Sequence, residues 1–292
     1  MSRILVTGGK GQLGSELKAL EASFSEYHFY FTDAQVLDIT NHRAVEDFVT
    51  ANNIQIIVNC AAHTAVDKAE SELELSEQLN HLAVGNLAKI AKEKDMQLIH
   101  VSSDYVFDGS SISPYLETDL ANPQSVYGQT KLAGERAMQK INPSHSAIIR
   151  TSWVYSSYGN NFVKTMLRLG KEREQLEVVS DQVGTPTYAR DLAKAILVVL
   201  PQLNNTEVEI LHYSNAGFCS WYDFAKAIFE LSGISIEVHP IATSQYPTVA
   251  KRPFYSVLNK EKIKDKYAVE IPHWNAALKD CLRILGKGEN IF

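Results

Sequence analysis

The sequence has few cysteines and no long apolar run. Its three cysteines, Cys60, Cys219 and Cys281, are far apart and form no CxxC pair, so neither a disulfide framework nor a zinc site is indicated. Such sparse thiols fit a reducing cytoplasm. The longest strongly apolar run, AILVVL at 195–200, is too short to span a bilayer, and the first residues show no signal-peptide core. We therefore expect a cytoplasmic protein with no membrane partner.

Clusters of positive charge are also missing. The 292 residues carry a net charge of −6, and Lys and Arg are scattered along the chain. This argues against a nucleic-acid surface, which needs a basic patch. A small anionic ligand remains compatible, because helix N-termini and a few local cations are enough to bind one. The length and the ordinary composition indicate one large domain, or a main domain with a second lobe.

Apolar strands alternate with helical segments through the first 155 residues. Strands are expected at 3–7, 27–33, 54–62, 97–107 and 146–155, and helices at 14–23, 41–52, 75–94 and around 127. The alternation predicts an α/β fold of the Rossmann type, with a doubly wound parallel sheet. Because the pattern loosens after residue 160, we expect a smaller C-terminal substrate-binding lobe. The dinucleotide-binding domain would span 1–165 and return around 187–215, and the lobe would take 166–186 and 216–292.

A glycine-rich stretch, VTGGKGQLG, lies between the first strand and the first helix. It places Gly8, Gly9, Gly11 and Gly14 where a chain must turn tightly and approach a pyrophosphate. The following helix N-terminus would add free N–H groups and partial positive charge. A plain glycine turn is the alternative, but the position after strand one favours a dinucleotide site.

Asp33 ends the second strand, 19 residues after Gly14. An acid at this place can bind the hydroxyls of the adenosine ribose. It would repel a 2′-phosphate, and no arginine is adjacent in the sequence to compensate. We therefore expect NADH to serve at least as well as NADPH, unless Asp33 is only a turn residue.

Tyr127 and Lys131 are four residues apart in SVYGQTKLAGE, a stretch that reads as helix, so their side chains share one face. Reducing a carbonyl requires a proton on oxygen, which a tyrosine can supply if its pKa is suitable. A nearby ammonium would lower the pKa of the phenol. Ser103, at the end of the preceding strand, is the candidate for orienting the carbonyl, with Ser102 as the rival.

These stretches carry a family resemblance. TGGKGQLG, followed by SSDYVF and YGQTK, resembles the extended short-chain dehydrogenase/reductases. NCAAHTAVDKAESE, SSDYVFDG, YGQTKLAGE, RTSWVYSSYGNNFVKTML and DQVGTPT narrow it to the dTDP-4-dehydrorhamnose reductases, over nearly the whole chain. The resemblance implies that NADH or NADPH reduces the 4-keto group of dTDP-4-dehydro-L-rhamnose. The product would be dTDP-L-rhamnose, a precursor of polysaccharide.

The resemblance also assigns residues to roles. Tyr127 would be the proton donor, Lys131 its partner and Ser103 the orienting hydroxyl. The cofactor would meet the glycine loop, Asp33 and several further residues: Gly11, Gln12, Leu13, Asp38, Ile39, Ala62, His63 and Thr64. For His63 a structural role is an equal alternative. The substrate would meet Ser103, Asp104, Trp153 and Arg252, the last on its diphosphate or, alternatively, in a surface ion pair.

The sequence is also compatible with other functions. A sugar-nucleotide dehydratase is disfavoured, because Tyr105 rather than Glu follows Asp104, but an epimerase or a reductase of another 4-keto sugar is not. A non-catalytic regulatory subunit that binds dinucleotide also resembles this family. Some family members bridge a dimer through a divalent ion held by glutamates. Glu16 matches one such acid, but Arg190 stands where the second is expected, so we predict no metal site and a monomer or a homodimer without a metal bridge.

Overall fold

The computed structural model describes residues 1–288. Its strands are β1 (Ser2–Thr7), β2 (Tyr27–Phe31), β3 (Ile56–Asn59), β4 (Gln97–Ser103), β5 (Ser146–Thr151), β6 (Val154–Tyr155), β7 (Gln175–Val179), β8 (Val183–Gly184), β9 (Thr187–Tyr188), β10 (Glu209–His212), β11 (Cys219–Ser220) and β12 (Glu237–Ile241).

The helices alternate with these strands. They are α1 (Gln12–Leu20), α2 (His42–Ala51), α3 (Val66–Ala69), α4 (Leu73–Glu77), α5 (Ala83–Glu93), α6 (Val126–Ile141), α7 (Phe162–Glu172), α8 (Ala189–Val199), α9 (Trp221–Leu231), α10 (Glu261–Tyr267) and α11 (Trp274–Gly288). A π-helical turn, Gln78–Leu82, joins α4 to α5. No helix of the described chain has the length and apolar character needed to cross a membrane.

Six parallel strands form the central sheet in the order β10-β5-β4-β3-β1-β2. The chain moves from β1 outward to β2 and then returns to the other side of β1 with β3. In such a sheet, ligands bind beyond the carboxyl ends of the strands at this change of direction. The predicted doubly wound α/β fold is therefore confirmed, and its topology locates the binding edge.

Both faces of the sheet are covered by helices. On one face α1 and α8 bury apolar side chains such as Leu17 and Ile196 against β1 and β5. On the other face α2, α5 and α6 contribute Val49, Leu87 and Met138. Burial on both faces explains why the strands are almost continuously apolar in sequence.

A separate hydrophobic cluster lies outside the sheet, among α7, α9, α11, β7 and β12. We propose that this cluster is the core of the smaller lobe. Two segments pack on the main sheet instead: α8 with β10, as the expected return of the chain implies, and α10, whose Ile263 and Tyr267 join the sheet's core. The last residues of the expected lobe, 289–292, lie outside the described chain.

One strand predicted from the sequence is interrupted. Residues 146–155 read as a single run, but β5 ends at Thr151 and β6 begins at Val154. Trp153 between them has φ +47°, in the left-handed region that a non-glycine residue seldom adopts. The backbone therefore turns at Trp153, and the turn lies at the edge of the sheet where ligands are expected.

Candidate active site

A cleft of about 700 Å³ opens at the carboxyl edge of the sheet. Its lining combines the glycine-rich loop, the ends of β3, β4 and β5, and the start of α6. Most of the residues selected from the sequence line it: Gly8, Gly11, Gln12, Leu13, Asp33, Asp38, Ile39, Ala62, Thr64, Ser103, Asp104, Tyr127, Lys131 and Trp153. Gly9, Gly14, His63 and Arg252 do not.

The glycine loop fits a dinucleotide phosphate group. Gly8 has φ +66°, and a Cβ there would lie 2.8 Å from the backbone nitrogen of Ala61, so the loop lies directly against the chain after β3. Gly14 packs directly against this turn, since a Cβ at Gly14 would lie 2.5 Å from the Gly8 carbonyl oxygen. Gly11 precedes α1 in extended conformation, and no side chain caps the helix. The free N–H groups of this helix N-terminus therefore face the cleft and suit an anion.

Asp33 has a cationic neighbour that the sequence did not reveal. Its carboxylate forms an ion pair with Lys10 of the glycine loop, and it accepts hydrogen bonds from the backbone nitrogens of Gln35 and Val36. The bond from Lys10 is the largest cause that holds the pKa of Asp33 below its usual range. Although no arginine is adjacent to Asp33 in the sequence, the fold therefore brings a lysine beside it, which compensates part of its charge.

His63 faces away from the cleft. Its Nδ1 lies 2.7 Å from Ser76 Oγ, and its Nε2 lies 3.0 Å from a carboxylate oxygen of Glu72. Asn80, fully buried in the π-helical turn, accepts from the His63 backbone nitrogen at 2.9 Å and donates to its carbonyl oxygen at 3.1 Å. These contacts favour the structural alternative for His63. Asn80, which was not selected from the sequence, fixes the loop that carries Ala62 and Thr64 through these two hydrogen bonds.

Tyr127 and Lys131 lie in the first turns of α6, as predicted. The Ser125 side chain caps the helix by accepting from Gly128 N at 3.2 Å. Both side chains are almost fully buried, Tyr127 at 8% and Lys131 at 1% exposure. Lys131 Nζ donates to the Val101 carbonyl oxygen at 2.7 Å and lies 3.3 Å from His100 Nε2. Two elements, α6 and β4, thus hold the pair against the cleft.

The electrostatics of the pair differ from the expectation. We expected Lys131 to lower the pKa of Tyr127, but burial dominates and raises the pKa of the phenol above its usual range, with the Ser103 side chain lowering it in part. Burial also lowers the pKa of Lys131 to about 8. Desolvation disfavours the charged form of each group. The phenol is therefore protonated at neutral pH, which is the state that a proton donor requires.

Ser103 is linked to Asp104. Ser103 Oγ donates to Asp104 Oδ1 at 2.9 Å and accepts from the backbone nitrogen of Tyr105 at 3.2 Å. Burial raises the pKa of Asp104 to about 6. Ser102 also lines the cleft, but its hydroxyl has no side-chain or backbone partner in the described chain. Because the Ser103 side chain partly lowers the pKa of Tyr127, Ser103 is favoured over Ser102 as the orienting hydroxyl.

Trp153 forms a flat wall of the cleft. Its ring stacks on Trp221 of α9 with the centroids 3.5 Å apart and the planes 9° from parallel. Gly184 leaves room for it, because a Cβ there would lie 2.6 Å from the indole ring. The smaller lobe therefore supplies the support for a side chain that projects from the sheet edge, and a base or a sugar ring could pack on it.

Arg252 lies beyond the cleft lining. Its guanidinium forms an ion pair with Asp67, and Nη1 donates to Tyr105 Oη at 3.3 Å. Tyr105 in turn lies edge-on to Tyr127, with ring centroids 5.4 Å apart. Arg252 is thus linked to Tyr127 through Tyr105, and any anion bound by Arg252 would compete with Asp67 for the guanidinium.

Glu16 and Arg190 come together as the sequence suggested. Glu16 is fully buried, accepts from Ser156 Oγ at 2.6 Å, and has Arg190 Nη1 at 3.5 Å from its second oxygen. Burial is the main cause that raises the pKa of Glu16. Within residues 1–288, no three His, Cys, Asp or Glu side chains form a group that could hold a metal ion.

The comparison with protein families decides the assignment of the chain. The model of the family described as RmlD substrate binding domain matches residues 1–286. The chain belongs to this family. The chain is also 43% identical over 293 residues to a dTDP-4-dehydrorhamnose reductase of Escherichia coli strain K12, with 97% of each chain covered. The predicted family resemblance is therefore confirmed.

Solved structures agree with the RmlD assignment. A dTDP-4-dehydrorhamnose reductase of Clostridium acetobutylicum has a TM-score of 0.92 and 43% identity, covering 97% of this chain and 99% of its own. The enzyme of that name from Bacillus anthracis, solved in complex with NADP, has a TM-score of 0.92 and 38% identity, covering 97% and 100%. The extended short-chain dehydrogenase/reductase fold expected from the sequence is confirmed by these neighbours.

Proposed function

We propose that this chain reduces the 4-keto group of dTDP-4-dehydro-L-rhamnose to give dTDP-L-rhamnose, with NADH or NADPH as the reductant. The observation that carries the proposal is the meeting of Tyr127, Lys131 and Ser103 in the same cleft as the glycine loop. The 43% sequence identity between this chain and dTDP-4-dehydrorhamnose reductases supports the choice of substrate. Enzymes that share a fold differ in chemistry, so these side chains, more than the fold, support the activity.

The position of these residues in the cleft supports the proposed roles. The nicotinamide would supply the hydride. Tyr127, buried and protonated, would give its proton to the carbonyl oxygen that Ser103 orients. Lys131 would hold the nicotinamide ribose from the floor of the cleft. Asp33, with Asp38 and Ile39, would receive the adenosine, and Gly8, Gly11, Gln12 and Leu13 the pyrophosphate.

On the substrate side we propose Ser103, Asp104 and Trp153 as contacts with the sugar nucleotide. Arg252 would bind the diphosphate only after exchanging its bond to Asp67 for the phosphate. We further propose a cytoplasmic enzyme that acts as a monomer or as a homodimer without a metal bridge. The three free cysteines and the Glu16–Arg190 pair support these two proposals.

The experiment is consumption of NADH by the purified chain in the presence of the 4-keto sugar nucleotide. Tyr127→Phe should lower kcat by about 10²–10⁴-fold, the usual contribution of one general acid. The variant should bind NADH as the unchanged chain does, which fluorescence titration measures. A regulatory subunit would bind the dinucleotide without consuming it. Full activity of Tyr127→Phe would contradict the assigned proton donor.

A further inference from the structure

A buried chain of polar side chains joins Lys131 to the middle of the sheet. Thr7 Oγ1 in β1 donates to Asn59 Oδ1 in β3 at 2.6 Å. Asn59 Nδ2 lies 3.0 Å from His100 Nδ1 in β4, and His100 Nε2 lies 3.3 Å from Lys131 Nζ. The exposure of these four side chains does not exceed 1%. The proposed reaction gives no role to the first three.

The orientation of the Asn59 amide is fixed by its neighbours. Besides Thr7, the backbone N–H of Ala61 points at Asn59 Oδ1 over 3.2 Å. A backbone N–H can only donate, so the amide oxygen must be on this side. The amide nitrogen, which also can only donate, therefore faces His100. It follows that His100 Nδ1 accepts a hydrogen bond.

This requirement selects one tautomer of His100. Burial, together with the charge of Lys131, lowers the pKa of His100 well below its usual value, so the ring is neutral. A neutral imidazole whose Nδ1 accepts carries its proton on Nε2. That proton points at Lys131 Nζ. An ammonium has only donors, whereas an uncharged amine has a lone pair that can accept.

We propose that Asn59 and His100 are positioning residues that, through this fixed tautomer, favour the uncharged amine of Lys131 over the ammonium. The catalytic lysine would then change its charge readily instead of remaining a permanent cation.

The other groups around Lys131 also affect the equilibrium between its ammonium and its uncharged amine. The Glu135 carboxylate, one turn further along α6, favours the ammonium, but Arg150 of β5 binds that carboxylate at 2.6 Å. The Cys60 thiol after β3 has a pKa raised to about 12, and the Tyr127 phenol is protonated, so both are neutral at pH 7. Burial acts on Lys131 in the same direction as the His100 contact.

The first test is direct and does not depend on the proposed function. Nitrogen-15 NMR of the histidine rings should show that, from pH 6 to 9, His100 is protonated on Nε2 and unprotonated on Nδ1. His100→Gln assigns the signals by removing them. Asn59→Asp places an acceptor opposite Nδ1 and should move the proton to Nδ1. An Nδ1-protonated ring or an imidazolium in the unchanged protein would overturn the proposal.

The second test rests on the proposed function. In the unchanged enzyme kcat/KM should fall above about pH 8, as Lys131 loses its proton. In His100→Gln the new side-chain oxygen can accept from the ammonium, so the fall should move up by about one pH unit. A purely structural role would lower kcat/KM at every pH without changing the pH at which it falls. A fall at the same pH in both proteins would therefore contradict the proposal. If no pH gives activity, the proposed function fails and the NMR result still stands.

Discussion

At the scale of single residues, burial more than charge pairing sets the protonation of the cleft. Tyr127, Lys131 and Asp104 are nearly inaccessible to solvent. Burial is the largest cause of the pKa shift of each, upward for the phenol and the carboxyl and downward for the amine. Burial thus shifts each group toward its neutral form, and the Tyr127 phenol keeps its proton at neutral pH.

Asp104 makes a pH-dependent prediction about stability. Its folded pKa, about 6, lies above the ordinary 3.8, so the folded state gains stability at low pH and loses it as the pH rises through 6. Asp104→Asn removes this buried charge and keeps an acceptor for Ser103. It should raise the free energy of unfolding at pH 7.5 by up to about 3 kcal/mol, and the gain should shrink between pH 6 and 4.

Urea denaturation at several pH values measures this effect. Asp108→Asn is the matched control, because the backbone nitrogen and the hydroxyl of Ser110 hold the pKa of that half-buried carboxylate below its usual value. The control should show no gain at pH 7.5. A loss of stability in Asp104→Asn at pH 7.5 would mean that its charge is compensated in the folded protein.

Lys10 and Asp33 together should set the cofactor preference. Asp33→Ala removes a carboxylate that repels a 2′-phosphate and should shift the ratio of kcat/KM values toward NADPH. Lys10→Ala removes the compensating cation and should shift it toward NADH. Each change should be a few-fold, because Lys10 is exposed and such ion contacts contribute at most about 1 kcal/mol. A strong native preference for NADPH that survives Lys10→Ala would contradict the placement of Asp33.

At the scale of secondary-structure elements, the packing of α6 against the turn after β4 brings Tyr127 to the cleft. Gly128 lies against the turn after β4, where a Cβ would be 2.2 Å from the carbonyl oxygen of Tyr105. No side chain fits there without moving backbone. The absence of a Cβ at this position is therefore what lets Tyr127 approach Ser103.

Gly128→Ala should lower the free energy of unfolding by about 1–3 kcal/mol and lower kcat, because α6 must shift away from β4. Gly85→Ala in α5 is the matched control, since its Cβ would meet Ala137 Cβ at 3.6 Å and Ile141 Cδ1 at 4.0 Å, both ordinary contact distances. That variant should gain about 0.5–1 kcal/mol from the helix propensity of alanine. Thermal denaturation and initial rates would separate the two. Equal behaviour of the two variants would show that the close approach of Gly128 has no effect.

The sequence predicted secondary-structure elements well where the local pattern of apolar residues is typical of a strand or of a helix. The central strands were predicted from apolar runs, α6 from the helical character of the stretch around Tyr127, and the glycine loop from its position after β1. The break at Trp153 and the π-helical turn at Gln78–Leu82 were not predictable, because each depends on packing against distant chain. The same holds for Lys10 beside Asp33 and for the contacts of His63, which join residues brought together only by the fold.

At the scale of the whole molecule, the cleft lies at the sheet edge, and Trp153, which lines it, is supported by Trp221 of α9. Away from the cleft, Arg190 of α8 reaches Glu16 of α1, two helices on the same face of the sheet. A guanidinium cannot ligate a cation and repels one, so this acid is occupied by an internal partner.

Activity should accordingly be unaffected by EDTA, and Mg²⁺ should not change the molar mass measured by light scattering. Arg190→Ala frees the Glu16 carboxylate and is the variant in which a response to Mg²⁺ could appear. Loss of activity in EDTA that Mg²⁺ restores, or Mg²⁺-dependent dimerisation of the unchanged chain, would contradict the proposed absence of a metal bridge.

The most direct measurement of the central proposal is identification of the product by NMR. The purified chain is incubated with NADH and the dTDP-4-dehydro-6-deoxy sugar, with and without the epimerase that supplies the L-sugar. We predict dTDP-L-rhamnose, formed only when the epimerase is present and in step with NADH oxidation. A 4-hydroxy sugar of another configuration, an epimerised sugar without NADH oxidation, or unchanged substrate would contradict the proposed reaction.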